Sequence, residues 1–207
     1  MRRAVMLLAL SLSLSLTGCI SFTATGPIGD PVTPAKVKSV RSAQVADVVI
    51  SSPGLKDDQR QNISRQLTEQ ISRYVEKGGY YQSLIAFPAR LGDQDVQLKF
   101  NLTSLKGKRS MHPAYIPGAL LTLTVWIWVN GPIYVDNYDF AGELVVEDRN
   151  GKVLARSVDQ VNEKKNRGIY NGEYWAPSLG RFELRDLIGR LLDKTSAQLP
   201  AVSTGAQ

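Results

Sequence analysis

The chain has 207 residues, of which 43% are hydrophobic and 21% charged, a composition typical of a globular domain with a buried core. Its formal net charge is +6. The basic residues after the leader form short groups, such as Lys106, Lys108 and Arg109, or Lys164, Lys165 and Arg167. Such groups are typical of solvated loops, whereas nucleic-acid binders concentrate Lys and Arg along one stripe. We therefore expect no nucleic-acid partner.

The first 18 residues have the pattern of an export signal. Two arginines give a positive start, an apolar stretch follows as far as Leu16, and Thr17 and Gly18 supply small residues at its end. The apolar stretch is shorter than the roughly 20 residues that a membrane-spanning helix needs. The sequence therefore predicts a signal peptide over 1–18.

Cys19, the only cysteine of the chain, follows this stretch directly. The residues Leu16-Thr17-Gly18-Cys19 closely resemble the lipobox of bacterial lipoproteins, in which the chain is cleaved on the amino side of the cysteine. The resemblance implies that the mature chain begins at Cys19, with a diacylglycerol on its sulfur and an acyl chain such as palmitate on its amino group. The alternative is an ordinary secretory signal that leaves a free thiol in an oxidising compartment.

The residue after Cys19 bears on the location of the protein. In lipoproteins of Gram-negative bacteria an aspartate at this position commonly retains the protein in the inner membrane, and here the residue is Ile20. The resemblance therefore implies the outer membrane, with a lipid-anchored domain that faces the periplasm.

Three segments follow the signal peptide. The stretch 19–36 is small, polar and rich in Gly and Pro, which predicts a flexible tether. A single domain is expected over 37–199, and a disordered tail over 200–207.

Hydrophobic periodicity predicts two helices and a set of strands in the domain. One helix has Ile63, Leu67, Ile71 and Val75 on one face, and the closing helix has Leu184, Leu187, Ile188, Leu191 and Leu192. Strands are predicted over 44–51, 80–87, 95–103, 120–129, 138–148 and 152–161. The resulting order, β-α-β-β-β-β-β-α, describes an α+β fold: a mixed, mostly antiparallel sheet of about five to six strands with two helices packed on one side.

The strand predicted over 120–129 has the strongest apolar alternation of the chain. It places Trp126 and Trp128 together on the face opposite Val125, Ile127 and Val129. Either a helix covers the tryptophans, or they remain exposed beside Tyr134 as an apolar patch suited to a partner protein or a membrane. Candidate partner contacts are therefore Trp126, Trp128 and Tyr134, and of the two tryptophans Trp128 is the better candidate.

The stretch LTLTVWIWVNGPIYVDNYDFAGELVVEDRNGKVLARS, taken with the lipobox and the β-α-β opening, resembles small outer-membrane lipoproteins of proteobacteria. The architecture is similar to the amino-terminal TolB domain, the curli-secretion lipoprotein and the lipoprotein activators of penicillin-binding proteins. The resemblance implies a non-catalytic accessory module that binds a protein partner in the envelope. It leaves the partner open, because a fold alone does not choose a function.

A peptidoglycan or glycan binder is the alternative. Sugars stack on exposed aromatic rings, and the polar loop 162–178 offers Tyr170, Tyr174 and Trp175. Tyr174 and Trp175 could equally hold this loop against the domain.

An enzyme is not expected. His112 is the only histidine, so it has no histidine or cysteine partner for a zinc site, and the chain contains no G-x-S-x-G motif. We predict no metal and no cofactor. A glycan hydrolase that uses a carboxylate pair formed only in three dimensions is a weak third alternative.

Overall fold

The computed structural model describes residues 19–86, 88–174 and 179–199. The predicted signal peptide and the predicted tail therefore lie outside the described residues. Ten elements follow one another in this order: β1 Ile20–Thr23, β2 Ala43–Val45, β3 Val49–Ile50, α1 Asp57–Gly78, β4 Val96–Met111, α2 Tyr115–Leu121, α3 Val125–Trp128, β5 Tyr134–Asp148, β6 Val153–Arg167 and α4 Arg181–Gln198.

The six strands form one sheet, which confirms the predicted α+β class with a mixed sheet. Its main path runs β1-β4-β5-β6, and β2 and β3 both pair with β4 in parallel. The hairpin between β5 and β6 turns at Arg149-Asn150-Gly151, where Asp148 N–H donates to Lys152 O and Gly151 has a φ of +79°. An Asn-Gly pair is typical of a tight hairpin turn of this kind.

The chain divides into two compact units, and β4, β5 and β6 contribute residues to both. Of the described residues, unit 1 holds 19–22, 107–137 and 163–174, and unit 2 holds 23–86, 88–106, 138–162 and 179–199.

Unit 2 contains the two long helices and most of the buried apolar side chains. In α1 the predicted face is buried, with Leu67 and Ile71 fully inaccessible. Two aspartates in its first turn complement the positive end of the helix dipole, and the left-handed Gly79 ends the helix. In α4 the five predicted residues from Leu184 to Leu192 are all fully buried. The helical period therefore predicted both core faces correctly.

The alternation of β4 in unit 2 also agrees with the prediction. Val96, Leu98, Phe100 and Leu102 are all buried, whereas Lys99 between them and Thr103 directly after them are exposed. The helix α1 lies against β2 and β3, and α4 approaches β6, where the Ser157 hydroxyl donates to Leu191 O at 3.0 Å.

Two of the predicted strands, both in the first part of the domain, differ in the structure. The stretch 44–51 forms two short strands, β2 and β3, separated by residues 46–48. The stretch 80–87 forms only an isolated bridge between Leu84 and Ala43, and Phe87 lies outside the described residues. Tyr80 and Tyr81 are nevertheless buried, and the Tyr80 ring lies 6.4 Å from that of Tyr74. Tyr80 is therefore buried by this ring packing rather than by pairing in a sheet.

The segment 19–36 is not the uniformly flexible tether that its composition predicts. It contains β1, which pairs with β4, and it buries Ala24 and Ile28. Ile28 N–H donates to the Gln70 side chain at 3.0 Å, and Ala35 N–H donates to Gly78 O at 2.9 Å. The segment packs because its few apolar residues fill positions beside β4 and α1, which its overall composition does not show.

Candidate functional site

The apolar run 120–129 does not form the predicted strand. It belongs to two short helices, α2 and α3, which are joined by a tight turn at Leu123 and Thr124. Both turn residues have positive φ, 49° and 72°, an uncommon conformation for side chains that carry a Cβ. The predicted sharing of one strand face by Trp126 and Trp128 is therefore wrong.

The threonines of the run account for part of this difference. The Thr122 hydroxyl donates to Gly118 O at 2.8 Å and accepts from Trp126 N–H at 2.9 Å. Such local side-chain bonds give the backbone an alternative to a sheet ladder. Pro117 lies in the first turn of α2, where a missing N–H costs nothing. A run with strand periodicity is thus held as a helical turn by its own polar atoms.

Seven large apolar side chains of this region are exposed, and we call them the α2–α3 surface: Ile116, Leu120, Leu121, Leu123, Val125, Trp128 and Val129. The exposed fractions reach 85% for Leu121, 84% for Leu123 and 73% for Trp128. Single exposed apolar residues are ordinary, but a contiguous set of this kind is typical of a docking site for a protein or a membrane.

The surface lies in a long uncharged stretch. Between Arg109 and Asp136 the sequence has no Asp, Glu, Lys or Arg. The exposed apolar residues are therefore not interspersed with charges, as they are on an ordinary solvated helix.

The two tryptophans differ in their surroundings. The Trp126 indole lies between Gly118 and Gly131 and donates from Nε1 to Pro132 O at 3.3 Å. Trp128 is largely exposed, and we find no hydrogen bond from its indole among the described contacts. Trp126 therefore holds the turn together, and Trp128 is the one free to contact a partner, which keeps it the better candidate.

We expect Gly131→Ala to disturb the α2–α3 turn. A Cβ at this position would lie 2.4 Å from Trp126 Nε1, so the indole must move, and overpacking of this kind costs about 1 to 3 kcal/mol. The measurement is chemical denaturation together with limited proteolysis of residues 112–134. Gly172→Ala, where a Cβ meets nothing within 4 Å, is the control. Equal stability of the two variants would contradict this role of Trp126.

A buried cluster of charges lies at the ends of the strands in unit 1. Arg109 of β4 binds Asp136 of β5 through two hydrogen bonds of 2.6 Å, Nε to Oδ1 and Nη2 to Oδ2. Arg167 of β6 lies 3.4 Å from the same carboxylate and also binds Glu173. Asp136 and Glu173 are fully buried. The prediction that both arginines lie in solvated loops is wrong, because each points inward toward Asp136.

This cluster fixes the loop that follows β6. Arg109 donates from Nη1 to Tyr174 O at 3.2 Å and from Nη2 to Glu173 O at 3.3 Å. Its guanidinium also lies 5.2 Å from the centre of the Tyr134 ring. Asp136 lies two positions before Tyr138 and four before Phe140, so it shares their buried face of β5. This alternation is the sequence signal that could have identified it.

The aromatic candidates of the loop separate into exposed and packed residues. Tyr170 is 62% exposed, whereas Tyr174 packs against Tyr134 at 5.6 Å between ring centres. Desolvation raises the pKa of the Tyr174 hydroxyl, and the neighbouring hydroxyls of Tyr134 and Tyr115 raise it further. Trp175 lies outside the described residues. Within the described part of the loop, the glycan hypothesis therefore retains one exposed ring, Tyr170, while Tyr174 and Tyr134 hold the loop in place.

His112 has a local structural role. Its backbone N–H donates to Ile133 O at 2.8 Å, and its Nδ1 accepts from Ala114 N–H at 3.2 Å. Among the residues that the structure describes, no three His, Cys, Asp or Glu side chains are grouped as potential metal ligands.

Cys19 lies at the start of β1 and is exposed, with no disulfide partner. Ala24 N–H donates to Leu105 O, and the Phe22 ring covers Gly107, so the two strands run in opposite directions. Extending this register places Cys19 beside Ser110, next to the end of β4 at Met111. The connection from β4 to β5, which contains α2 and α3, begins at this same end of the strand.

Unit 2 contains a cleft of about 790 Å³ that no sequence pattern indicates. It lies between α1 and the segments 45–47 and 84–86, with both apolar and charged lining. Its charged side chains are Asp47, Glu69, Arg73 and Glu76.

We find no helix among the described residues with the length and apolar character needed to cross a bilayer.

Comparison with known proteins assigns no family. No family model matches the chain, and no curated protein matches it. Three of the solved structures that match are a DUF330 protein from Xanthomonas campestris, a protein described as a homologue of the neuraminyllactose-binding hemagglutinin from Helicobacter pylori, and a minor lipoprotein from Acinetobacter baumannii.

The sequence identities to these structures are 8%, 8% and 14%, and the TM-scores are 0.42, 0.36 and 0.34. The matches cover 81%, 82% and 76% of this chain and 89%, 89% and 91% of the other chains. Because every one of these TM-scores is below 0.5, the likenesses assign no function to this chain.

Proposed function

We propose that this chain is a lipid-anchored lipoprotein of the bacterial envelope with a non-catalytic accessory role. The observation that carries the proposal is the sequence Leu16-Thr17-Gly18-Cys19, in which the only cysteine is exposed at the start of a folded domain. An unpaired exposed thiol is awkward in an oxidising compartment, and thioether attachment of a lipid removes it. The absence of aspartate after Cys19 favours the outer membrane, with the domain in the periplasm.

The accessory role consists of contact through the α2–α3 surface. This surface exposes seven large apolar side chains, as docking sites do, and it lies in the same unit as Cys19. Two carboxylates of unit 1, Asp136 and Glu173, are engaged with arginines in the buried cluster that supports the loop after β6, which is a structural use of carboxylates rather than an acid/base pair open to a substrate. A contact role therefore fits unit 1 better than hydrolysis.

We expect Cys19→Ala to release the protein from membranes. Each buried CH₂ of an acyl chain contributes about 0.8 kcal/mol, so several chains together hold a protein firmly and their loss is decisive. The measurement is fractionation of cells that express either chain, together with the mass of the amino-terminal peptide of the parent. Ser21→Ala, close to Cys19 but outside the lipobox, is the control. If the parent peptide carries no lipid mass, the proposed function is wrong.

A further inference from the structure

We infer that the α2–α3 surface rests on the same lipid bilayer into which the acyl chains of Cys19 insert, so that this end of unit 1 sits at the boundary between headgroups and acyl chains. The inference rests on the proposed lipidation of Cys19. It adds that the contact partner of the surface is lipid.

Cys19, the proposed site of lipid attachment, lies directly before the first strand of the fold. The strand β1 begins at Ile20, and Phe22 is already fixed over Gly107. An extended chain spans at most about 3.3 to 3.6 Å per residue, so the three steps from Cys19 to Phe22 cover only about 10 Å. A lipid on Cys19 would therefore hold this end of unit 1 against the membrane, without the slack of a tether.

At that end, unit 1 presents an uncharged stretch with exposed apolar side chains. The register of β1 places Cys19 beside Ser110, and the uncharged stretch with the α2–α3 surface begins there. Apolar side chains such as Leu121 and Leu123 are more than four-fifths exposed in the isolated chain. Transfer of such side chains from water into the acyl region is favourable, as for helices that lie in a membrane interface without crossing it.

Several polar groups of the same segment form hydrogen bonds within unit 1. The Thr122 hydroxyl bonds within the turn, Trp126 Nε1 donates to Pro132 O, and Asn130 Oδ1 accepts from Tyr170 N–H at 3.1 Å. Hydrogen bonds that close internally suit an environment without water, where an unpaired polar group is costly. A protein interface, in contrast, usually has a polar rim that offers hydrogen bonds to its partner.

The strands of unit 1 carry exposed charge. Lys108 of β4 and Lys164 of β6 are both exposed, and exposed lysines near a membrane surface attract anionic headgroups. An uncharged α2–α3 surface together with exposed lysines on the strands of the same unit is typical of an interfacial membrane contact.

The test places the lipidated full chain in vesicles of phosphatidylethanolamine and phosphatidylglycerol whose acyl chains carry bromine, a quencher of tryptophan emission. We expect bromine to quench the parent and this quenching to fall strongly in Trp128→Phe. Iodide added to the water should quench the parent less in vesicles than it quenches the unlipidated Cys19→Ala chain in solution. Trp128 is exposed, so its replacement leaves the fold in place.

A charge on the surface gives a second measurement. Leu121→Asp should reduce bromine quenching of the lipidated chain, because a carboxylate is costly in the acyl region. Val153→Asp is the control. It introduces the same charge at an exposed apolar residue of β6, 52% exposed, and should leave quenching unchanged.

The outcomes separate the inference from the proposed function. If the chain floats with the vesicles but Trp128 is quenched by iodide and not by bromine, the anchor is present and the inference is wrong. If neither quencher reaches Trp128, a second copy of the chain covers the surface, which also overturns the inference. If the parent carries no lipid and does not float, the proposed function itself fails.

Discussion

We expect Asp136→Ala to lower the free energy of unfolding by about 3 to 5 kcal/mol, the loss typical when one partner of a buried ion pair is removed. Asp136 is fully buried and accepts both hydrogen bonds of the Arg109 fork, with Arg167 close to one of its oxygens. Without the carboxylate, two positive charges remain close together in a largely buried site. Chemical denaturation followed by circular dichroism measures the loss.

Asp139→Ala is the matched control for this prediction. Asp139 lies on the same strand, but its side chain points to the exposed side, where the Ser104 hydroxyl lies 3.1 Å from Oδ2. Surface substitutions of this kind usually change stability little. If both variants unfold at the same denaturant concentration, the Arg109–Asp136 pair does not stabilise the chain.

Salt gives an independent criterion for the buried cluster. Added salt weakens exposed ion pairs, such as Lys77 with Asp30 at 2.8 Å, but screens buried pairs much less. The stability difference between the parent and Asp136→Ala should therefore persist in high salt. A difference that disappears as salt is added would mean that the pair is solvated.

The sequence predicts those elements whose core contacts follow a local period. Both long helices and the first half of β4 have apolar residues at fixed spacing, and the structure buries these residues. The Asn150-Gly151 turn is likewise a local signal. In each case neighbouring residues contain the information, so reading along the chain is sufficient.

The run 120–129 shows where such reading fails. Its alternation of apolar residues with Thr and Trp fits a strand, yet a strand also needs a neighbour that completes its ladder, and the sequence does not show this neighbour. Thr122 instead bonds to Gly118 and Trp126 within the turn. The sequence from Ser110 to Val135 has no Asp, Glu, Lys or Arg, and this absence of charge is compatible with a strand and with exposed apolar turns alike.

The buried cluster was hidden for a different reason. Arg109 and Asp136 are 27 positions apart, and each is a charged residue that composition alone assigns to the surface. Only the pairing of β4 with β5 brings them together. Similarly, the composition of 19–36 predicts a tether, but composition cannot show that β1 pairs with β4.

We expect Phe140→Ala to lower the free energy of unfolding by about 3 to 5 kcal/mol, through lost apolar transfer and the cavity that remains. Phe140 is fully buried in unit 2, and its ring meets the edge of Tyr138 at 5.6 Å between centres. The ring also lies so close to Gly180 that a Cβ there would be 2.6 Å from its Cζ. A site bounded by a large ring and by the backbone at the start of α4 cannot collapse easily, which favours the upper part of the range.

Thermal unfolding provides the measurement, since for a domain of this size each kcal/mol corresponds to about 2 to 4 °C in Tm. Val158→Ala on β6, where the side chain is 63% exposed, is the control and should shift Tm little. Phe140→Leu should recover part of the loss, because leucine refills much of the cavity. Phe140 and Gly180 both lie in unit 2. A large fall in Tm for Phe140→Ala, with an intermediate Tm for Phe140→Leu, would identify ring packing at the start of α4 as the source of the stability. A Tm for Phe140→Ala equal to that of Val158→Ala would instead mean that this packing contributes nothing.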